Sequence, residues 1–285
     1  MLKKIVSSLL ACTLVVSLFT ACGGSSSSAP VSSAVGSVSS SAATSDWEYV
    51  SDKGSLVIGI TLFDPMNYYD ETETLVGFDT ELAQAVCKKL GVEAEFVEID
   101  WNNKLMELDA KKIDCIWNGF TIMDDLENAV DYTIPYSTNY QSVVINQKNK
   151  DLYTDLASLS EASIGVEAGS AGEAAVAAES VLSKANVVSV TAQRDNLLEL
   201  KSGTLDAAVI DVVMAQASVG EGTDFADLMV LSGIELSKEE YGVGFREGSD
   251  LPSKVNQALQ ELANEGFLEA LQEKYPSVMV CLKVE

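Results

Sequence analysis

From Trp47 onward, short apolar runs alternate with stretches whose apolar residues recur at helical spacing. The run "LVIGI" (56–60) has the length and content of a buried strand, whereas "FDTELAQAVCKKLG" (78–91) sets Leu82, Ala85, Val86 and Leu90 on one helical face and stops at Gly91. A second strand, "AEFVEI" (94–99), and a second helix, "NNKLMELDAKK" (102–112), follow. Parallel strands need crossover connections, so this order predicts an α/β chain with a parallel sheet covered by helices.

The same design recurs downstream. "LMELDAKKIDCIWNG" (105–119) and "LLELKSGTLDAAVID" (197–211) both read as a helix end, a turn, and a strand that opens on an acid followed by small apolar residues. Aligning Asp114 with Asp206 sets Gly119 opposite Asp211. Two units of one design point to two lobes, each presenting a strand end to a shared crevice, which is where open parallel sheets bind ligands. The second lobe is expected over 144–237, including the strand "SIGVEA" (163–168). The first is expected over 47–143 plus 238–285, re-entered through "YGVGF" (241–245) and two helices, with Asp250 and Pro252 opening the first of these and Gly266 closing it. A discontinuous lobe requires two crossings, near 140–147 and 237–241, and two crossing strands make a hinge.

With 285 residues, 47% of them hydrophobic, the chain can bury a full core. Its 43 acidic and 18 basic residues give a net charge of −25 at pH 7. That field repels nucleic acid and anionic headgroups, so no nucleic-acid partner is expected. Histidine is absent, which removes the commonest general base and the commonest zinc ligand. Accordingly no enzymatic activity, metal or cofactor is expected. Among the cysteines, Cys87, Cys115 and Cys281 form no CxxC pair and read as buried thiols or, at most, one bridge.

The N-terminus reads as an address. Lys3 and Lys4 precede an apolar run over 5–21 that is broken by Ser7, Ser8, Thr13 and Ser17, the layout of a signal peptide rather than a membrane span. It closes on "LFTAC" (18–22), which resembles the bacterial lipobox with Phe19 in place of the usual leucine. Residues 1–22 are therefore read as a lipoprotein signal peptide, with Cys22 as the diacylated first residue of the mature chain. Residues 23–46 are rich in Ser, Gly and Ala and nearly uncharged, so they cannot fold on their own. As a flexible coil this tether spans about 27 Å on average. The expected location is the outer face of the bacterial cytoplasmic membrane, extracellular or periplasmic, with the N-terminal lipid as the only membrane contact.

Several ordered motifs of the body, "GFDTELAQAVCKKL" (77–90), "IDWNNKLMELDAKKIDCIWNGFTI" (99–122), "IGVEAGSA" (164–171), "LDAAVID" (205–211) and "YGVGFREGSDLPSKVNQALQEL" (241–262), resemble the extracellular solute-binding proteins of family 3, the receptors of polar amino acid ABC importers. The resemblance implies a type II periplasmic-binding-protein-like fold: two α/β lobes, each a sheet flanked by helices, joined by a two-strand hinge. It implies a monomer that closes over a small polar solute, favouring an amino acid, and passes it to the transmembrane subunits of an ABC permease. It also implies the site. Phe63 would stack on the ligand side chain, and Gly119 and Thr121 would receive its α-amino group and carboxylate, with Trp117 and Asn118 on the wall. Ser170 would give NH and OH groups to the carboxylate, and Asp211 would bind the ammonium. The residues also admit plainer roles: Trp117 as core filler, Thr121 with Asp124 as a capping box, and Ser170 and Asp211 as helix caps.

One departure bears on the ligand. The family's threonine turn is followed by an arginine that clamps the ligand carboxylate; the matching residue here is Leu126, Met123 replaces a second threonine, and the chain's only arginines, Arg194 and Arg246, fall elsewhere. Losing one partner of a buried charged pair costs about 2–5 kcal/mol. An ordinary α-amino acid would then bind about thirty- to several-thousand-fold more weakly unless another cation substitutes. A cationic amine or amide without a free carboxylate is therefore a second reading. A non-transporting sensor lipoprotein, and an enzyme on the same scaffold using Asp211 or Asp64, are further ones.

Overall fold

A computed structural model describes residues 45–284. Cys22, the signal peptide and the tether up to residue 44 lie outside the described residues. The expected tether ends two residues late, because Ser45 caps helix α1 (Asp46–Lys53), accepting a hydrogen bond from the Glu48 N–H. After Gly54, β1 (Ser55–Ile60), the short hairpin β2 (Tyr68–Tyr69) and β3 (Leu75–Val76), α2 (Phe78–Leu90), β4 (Glu93–Glu98), α3 (Lys104–Asp109), β5 (Cys115–Thr121) and β6 (Val130–Tyr132) follow. The chain then runs through β7 (Ser137–Asn146), β8 (Ser163–Glu167), α4 (Ala171–Ala178), β9 (Asn186–Val190), α5 (Gln193–Ser202), β10 (Ala207–Asp211), α6 (Val212–Ser218) and β11 (Leu228–Val230). It returns through β12 (Leu236–Arg246), α7 (Leu251–Asn264), α8 (Phe267–Lys274) and β13 (Met279–Val280).

The strands form one path, β4-β1-β5-β12-β7-β10-β8-β9, with β6 on β12 and both β11 and β13 on β7. In the first lobe β4, β1 and β5 are parallel, and β12 lies antiparallel on β5. In the second, β9, β8 and β10 are parallel, and β7 lies antiparallel on β10. The two halves meet where β7 and β12 pair with each other, from Leu236 opposite Gln141 to Tyr241 opposite Ser137. Gln141 also faces Asp211 of β10, so β7 exchanges first-lobe for second-lobe partners at that residue. The two lobes of the fold thus share a two-strand hinge.

Burial explains why the strands read as continuous apolar runs. Val144 joins the large core that also holds Phe78, Leu82, Trp117 and Leu259, whereas its neighbours Val143 and Ile145 point into a second core under β8 and α4. A strand covered on both faces has no solvent side on which to place polar residues. The other face of the first-lobe sheet is covered by a smaller cluster around Trp101, Leu108, Ile116 and Phe120.

The second predicted helix is shorter than its pattern suggests: residues 101–103 form a 3-10 turn capped by the Asp100 side chain, and only Lys104–Asp109 is α-helical. No capping box forms at Thr121, because the short turn over residues 124–126 begins at Met123 without a side-chain cap and the Thr121 hydroxyl donates elsewhere. Cys87 and Cys115 are buried free thiols, and Cys281 is free and half-buried. Among the described residues no helix is long and apolar enough to cross a membrane.

Candidate functional site

The carboxyl ends of β1, β5, β8 and β10 converge on a narrow cavity of about 20 Å³ between the lobes. Of the residues singled out in the sequence, Phe63, Asn118, Gly119, Thr121, Ser170 and Asp211 line it, together with Thr61, Trp101, Lys104, Glu167 and Gln193. Trp117 departs from expectation. Its side chain is fully buried against Tyr136 in the first-lobe core, on the face of β5 that also buries Cys115 there, whereas Ile116 and Phe120 point into the smaller cluster opposite.

On the first-lobe side, the Asn118 amide is spent on structure. Its Oδ1 accepts from the Thr61 N–H (3.0 Å) and hydroxyl (2.8 Å), and its Nδ2 donates to the Thr61 carbonyl (3.0 Å) and to Asn67 Oδ1 (2.7 Å). Asn118 therefore pins the loop that carries Phe63 rather than offering its own polar atoms. Gly119 sits at φ 57°, and a Cβ there would come within 2.7 Å of the Phe63 ring and 3.2 Å of the Tyr241 ring. Only glycine fits that backbone and that gap. Its N–H donates to Asp79 Oδ2 at 2.7 Å, so the atom it can offer the cavity is its carbonyl, which suits an ammonium. Asp79 also accepts from the Tyr136 hydroxyl at 2.9 Å; burial pushes its pKa up to about 7, against the lowering effect of these donors.

On the second-lobe side, Ser170 is both cap and lining. Its Oγ accepts the Glu173 N–H at the start of α4 (3.1 Å), which leaves the hydroxyl hydrogen for an acceptor in the cavity. Asp211 does not cap α6 with its side chain. Instead it accepts from Gln141 Nε2 (2.9 Å), the Tyr241 hydroxyl (2.6 Å), and the amides of Asn139 and Gln193. Glu239, on the hinge strand β12, lies on the same amides: its Oε2 accepts from Asn139 (2.9 Å), Gln141 (3.1 Å) and the Thr121 hydroxyl (3.1 Å). Burial raises the pKa of both acids, and Asp211 raises that of Glu239 further. Glu167, at the end of β8, is pushed up to about 8 by burial and then by Asp211, with Lys104 opposing.

Lys104 is the one cationic side chain in the lining and is only 7% exposed. Its Nζ sits 4.9 Å from the centroid of the Trp101 ring and donates to the carbonyls of Trp101 (3.3 Å) and Gly169 (2.7 Å). The bond to Gly169 crosses from one lobe to the other. Burial lowers the lysine pKa, and Glu167 and Glu173 oppose that shift. Four buried oxygens of this region, Asn139 Oδ1, Gln141 Oε1, Glu167 Oε1 and Glu239 Oε1, have no hydrogen-bond partner. All are acceptors. Each such atom costs about 1–3 kcal/mol while unpaired, and of the four residues only Glu167 lines the cavity. Among the described residues no group of acids and cysteines is arranged to hold a metal ion.

Residues 56–277 match the family described as bacterial extracellular solute-binding proteins, family 3. The chain belongs to that family. Among curated relatives, the L-cystine-binding protein TcyJ of Escherichia coli (strain K12) is 30% identical over 231 residues, covering 79% of this chain and 84% of the relative. The arginine-binding extracellular protein ArtP of Bacillus subtilis (strain 168) is 29% identical, covering 79% and 87%. Among solved structures, a mutant of ArgBP from T. maritima superposes with a TM-score of 0.75 at 31% identity, covering 81% of this chain and 99% of that one. Family 3 membership makes the protein a solute-binding component of an ABC importer that takes a small polar solute, and an amino acid fits.

Sequence reasoning missed Lys104, Glu167, Gln193 and Glu239. Glu167 carried a signal, since an acid at the carboxyl end of an apolar parallel strand points into the crevice. Lys104 lies in the expected helix over 102–112 beside two other lysines, and Glu239 in the charged run "SKEE" (237–240), and nothing in either pattern singles it out. Their burial comes from the lobes and the hinge folding together, which local pattern does not encode.

Proposed function

We propose that this chain is a lipid-anchored, extracytoplasmic receptor that captures a cationic solute, a basic amino acid or an amine, by lobe closure and presents it to an ABC permease. The carrying observation is the balance of acids and bases at the site: Asp211 and Glu167 line a cavity whose single cation, Lys104, already bonds to Gly169, and Glu239 lies behind it on the amides that hold Asp211. With Leu126 where relatives place a carboxylate clamp, Lys104 and Ser170 are the groups left to receive a carboxylate, and Asp211 with the Gly119 carbonyl receives the ammonium. The arginine-binding relative supports a cationic ligand. The lobes are proposed to comprise 47–143 plus 238–285 and 144–237, in a monomer held to the membrane through Cys22. Binding rather than turnover fits a site of hydrogen-bonded acids without histidine in the chain.

Thermal shift against amines, basic, neutral and acidic amino acids tests this reading. A ligand present at 100 times its Kd stabilises by about 2.7 kcal/mol. Stabilisation by cationic compounds and none by acidic ones is expected. A response confined to neutral or acidic amino acids would sink it.

A further inference from the structure

Strand β5 loses its strand partner just where it reaches the cavity. Its pairing with β12 runs from Phe245 opposite Cys115 to Gly244 opposite Ile116 and resumes only at Gly242 opposite Phe120, so Trp117, Asn118 and Gly119 stand against Val243 alone. Val243 has nothing left for them: its N–H donates to the Thr133 hydroxyl (2.9 Å), and its carbonyl accepts the Thr133 N–H (3.0 Å). On the other edge, β1 pairs with β5 at Cys115 and Ile116 and no further. The bulge is therefore held by side chains. Asn118 ties it to Thr61, and the Gly119 N–H, on a left-handed backbone at φ 57°, is taken by Asp79 Oδ2 at 2.7 Å.

Asp79 comes from another layer of the fold. It stands in the first turn of α2, where a helix N-terminus favours an acid, and it is completely buried outside the cavity lining. Its side chain accepts from the Gly119 N–H and the Tyr136 hydroxyl and, among the described residues, meets no basic group. A carboxylate kept in a core without a cation is costly, and a neutral acceptor could take the same two donors. What the charge adds is a stronger and better-fixed bond to one N–H.

We propose that Asp79 is the positioning residue of the ammonium site: by holding the Gly119 N–H from behind, it fixes the bulge so that the Gly119 carbonyl is presented to the ligand, and it thereby makes the receptor selective for a primary ammonium over a methylated ammonium of equal charge. This rests on the cationic-solute reading above and extends it. Bulges beside binding sites re-aim the groups they carry. Here that group is a carbonyl, an acceptor of use only to a ligand with N–H donors. Asp211 attracts a cation by its charge, whatever its substituents; the Gly119 carbonyl counts its hydrogens.

The test is calorimetric titration of the full chain at pH 8, above the value of about 7 to which burial lifts Asp79. The probes are L-arginine, L-lysine and 1,5-diaminopentane, each against the form dimethylated on one amino nitrogen, the α-nitrogen in the amino acids. Dimethylation keeps the charge and removes two donors. The unmutated protein is expected to prefer the primary ammonium by about tenfold or more, the worth of one hydrogen bond to a charged group. Asp79→Asn keeps the shape and an acceptor but not the charge, and is expected to cut that preference by about threefold or more; Asp79→Ala removes the acceptor and is expected to cut it further. Tyr136→Phe deletes the other donor to Asp79 and leaves the Gly119 bond, so it is expected to lower the Tm without moving the preference. The bulk of the methyl groups is the same for every variant, so a change in preference reports the bond alone. Equal weakening of both forms in Asp79→Asn makes Asp79 a structural residue and overturns the proposal while leaving the cationic receptor standing. So does an unmutated protein without the preference, or a preference that Tyr136→Phe reduces as much. Absence of binding by all three compounds overturns the cationic-solute reading itself. Should Asp79→Ala fail to fold, Asp79→Asn decides, since it opens no cavity and removes a buried charge that has no basic partner.

Discussion

Asp211 accepts four hydrogen bonds from neutral donors and meets no basic side chain, so its charge is dispersed but not neutralised. A ligand ammonium completes it. Replacing it by asparagine keeps the shape and removes the charge; loss of a buried ionic partner costs about 2–5 kcal/mol. Asp211→Asn is therefore expected to weaken a cationic ligand by about thirty- to several-thousand-fold while the far-ultraviolet spectrum stays native. Unchanged affinity in a titration would remove Asp211 from the site. Protons report on the same acids. Asp79 rises from an ordinary 3.8 to about 7 and Glu167 from 4.5 to about 8, both chiefly through burial. The unfolded chain releases these protons near pH 4, so from there to about pH 8 the folded state binds more, and stability falls as pH rises through 7 and 8. The ligand-free Tm is expected to drop between pH 5.5 and 8.5, and a cationic ligand to flatten that drop by favouring the ionised acids. A ligand-free Tm that climbs over this window contradicts the assignment. Asp211, Thr121 and Ser170 were legible because strand ends and helix starts are positions where a side chain has somewhere to point. Glu239 was not, because one buried glutamate inside "SKEE" looks the same as three exposed neighbours.

At the scale of elements, the glycine near the end of β5 does two things: it lets Phe63 and Tyr241 close over the backbone, and it presents its N–H to Asp79 at the start of α2. Gly119→Ala combines a left-handed backbone with a 2.7 Å clash, and backbone strain alone costs about 1–3 kcal/mol. A Tm several degrees lower and at least tenfold weaker ligand binding are expected, whereas an alanine variant of native stability and affinity would show the turn to be tolerant. The helix α4 offers a graded comparison. Ser170→Ala removes an N-cap worth about 1 kcal/mol, and with it a hydroxyl in the cavity; a small loss of stability with a larger loss of affinity is expected for ligands that carry a carboxylate. Element types were legible wherever burial is two-sided, as in "LVIGI" (56–60) and "LDAAVID" (205–211), because there the apolar run itself is the signal. The helix over 102–112 was overread: its apolar residues Leu105 and Leu108 keep helical spacing, but Asp100 captures the Asn102 N–H and starts a tighter turn instead.

For the whole molecule, the internal echo between 105–119 and 197–211 pointed to two lobes around one crevice, and Gly119 and Asp211, its aligned ends, both line the cavity. The crossings expected near 140–147 and 237–241 fall in β7 and β12, but the register in which these strands pair, and the pairing of β13 with β7 through Met279 and Thr138, was out of reach because it joins segments far apart in sequence whose patterns do not name each other. The lobes are in contact across the cleft through Lys104 and Gly169. A hydrogen bond from a charged donor contributes about 1.5–3 kcal/mol, which shifts an open–closed equilibrium by about ten- to a hundredfold. Lys104→Met is thus expected to enlarge the ligand-free radius of gyration in small-angle scattering, with ligand restoring the compact form; identical ligand-free curves for the two proteins would show the bond to be idle. The clasp has a consequence for traffic at the membrane. An importer that senses posture rather than cargo treats a shut but empty receptor as a delivery, so every molecule that clasps itself adds to a background of idle dockings. Solute would then be recognised by how far it lifts the docking rate above that background.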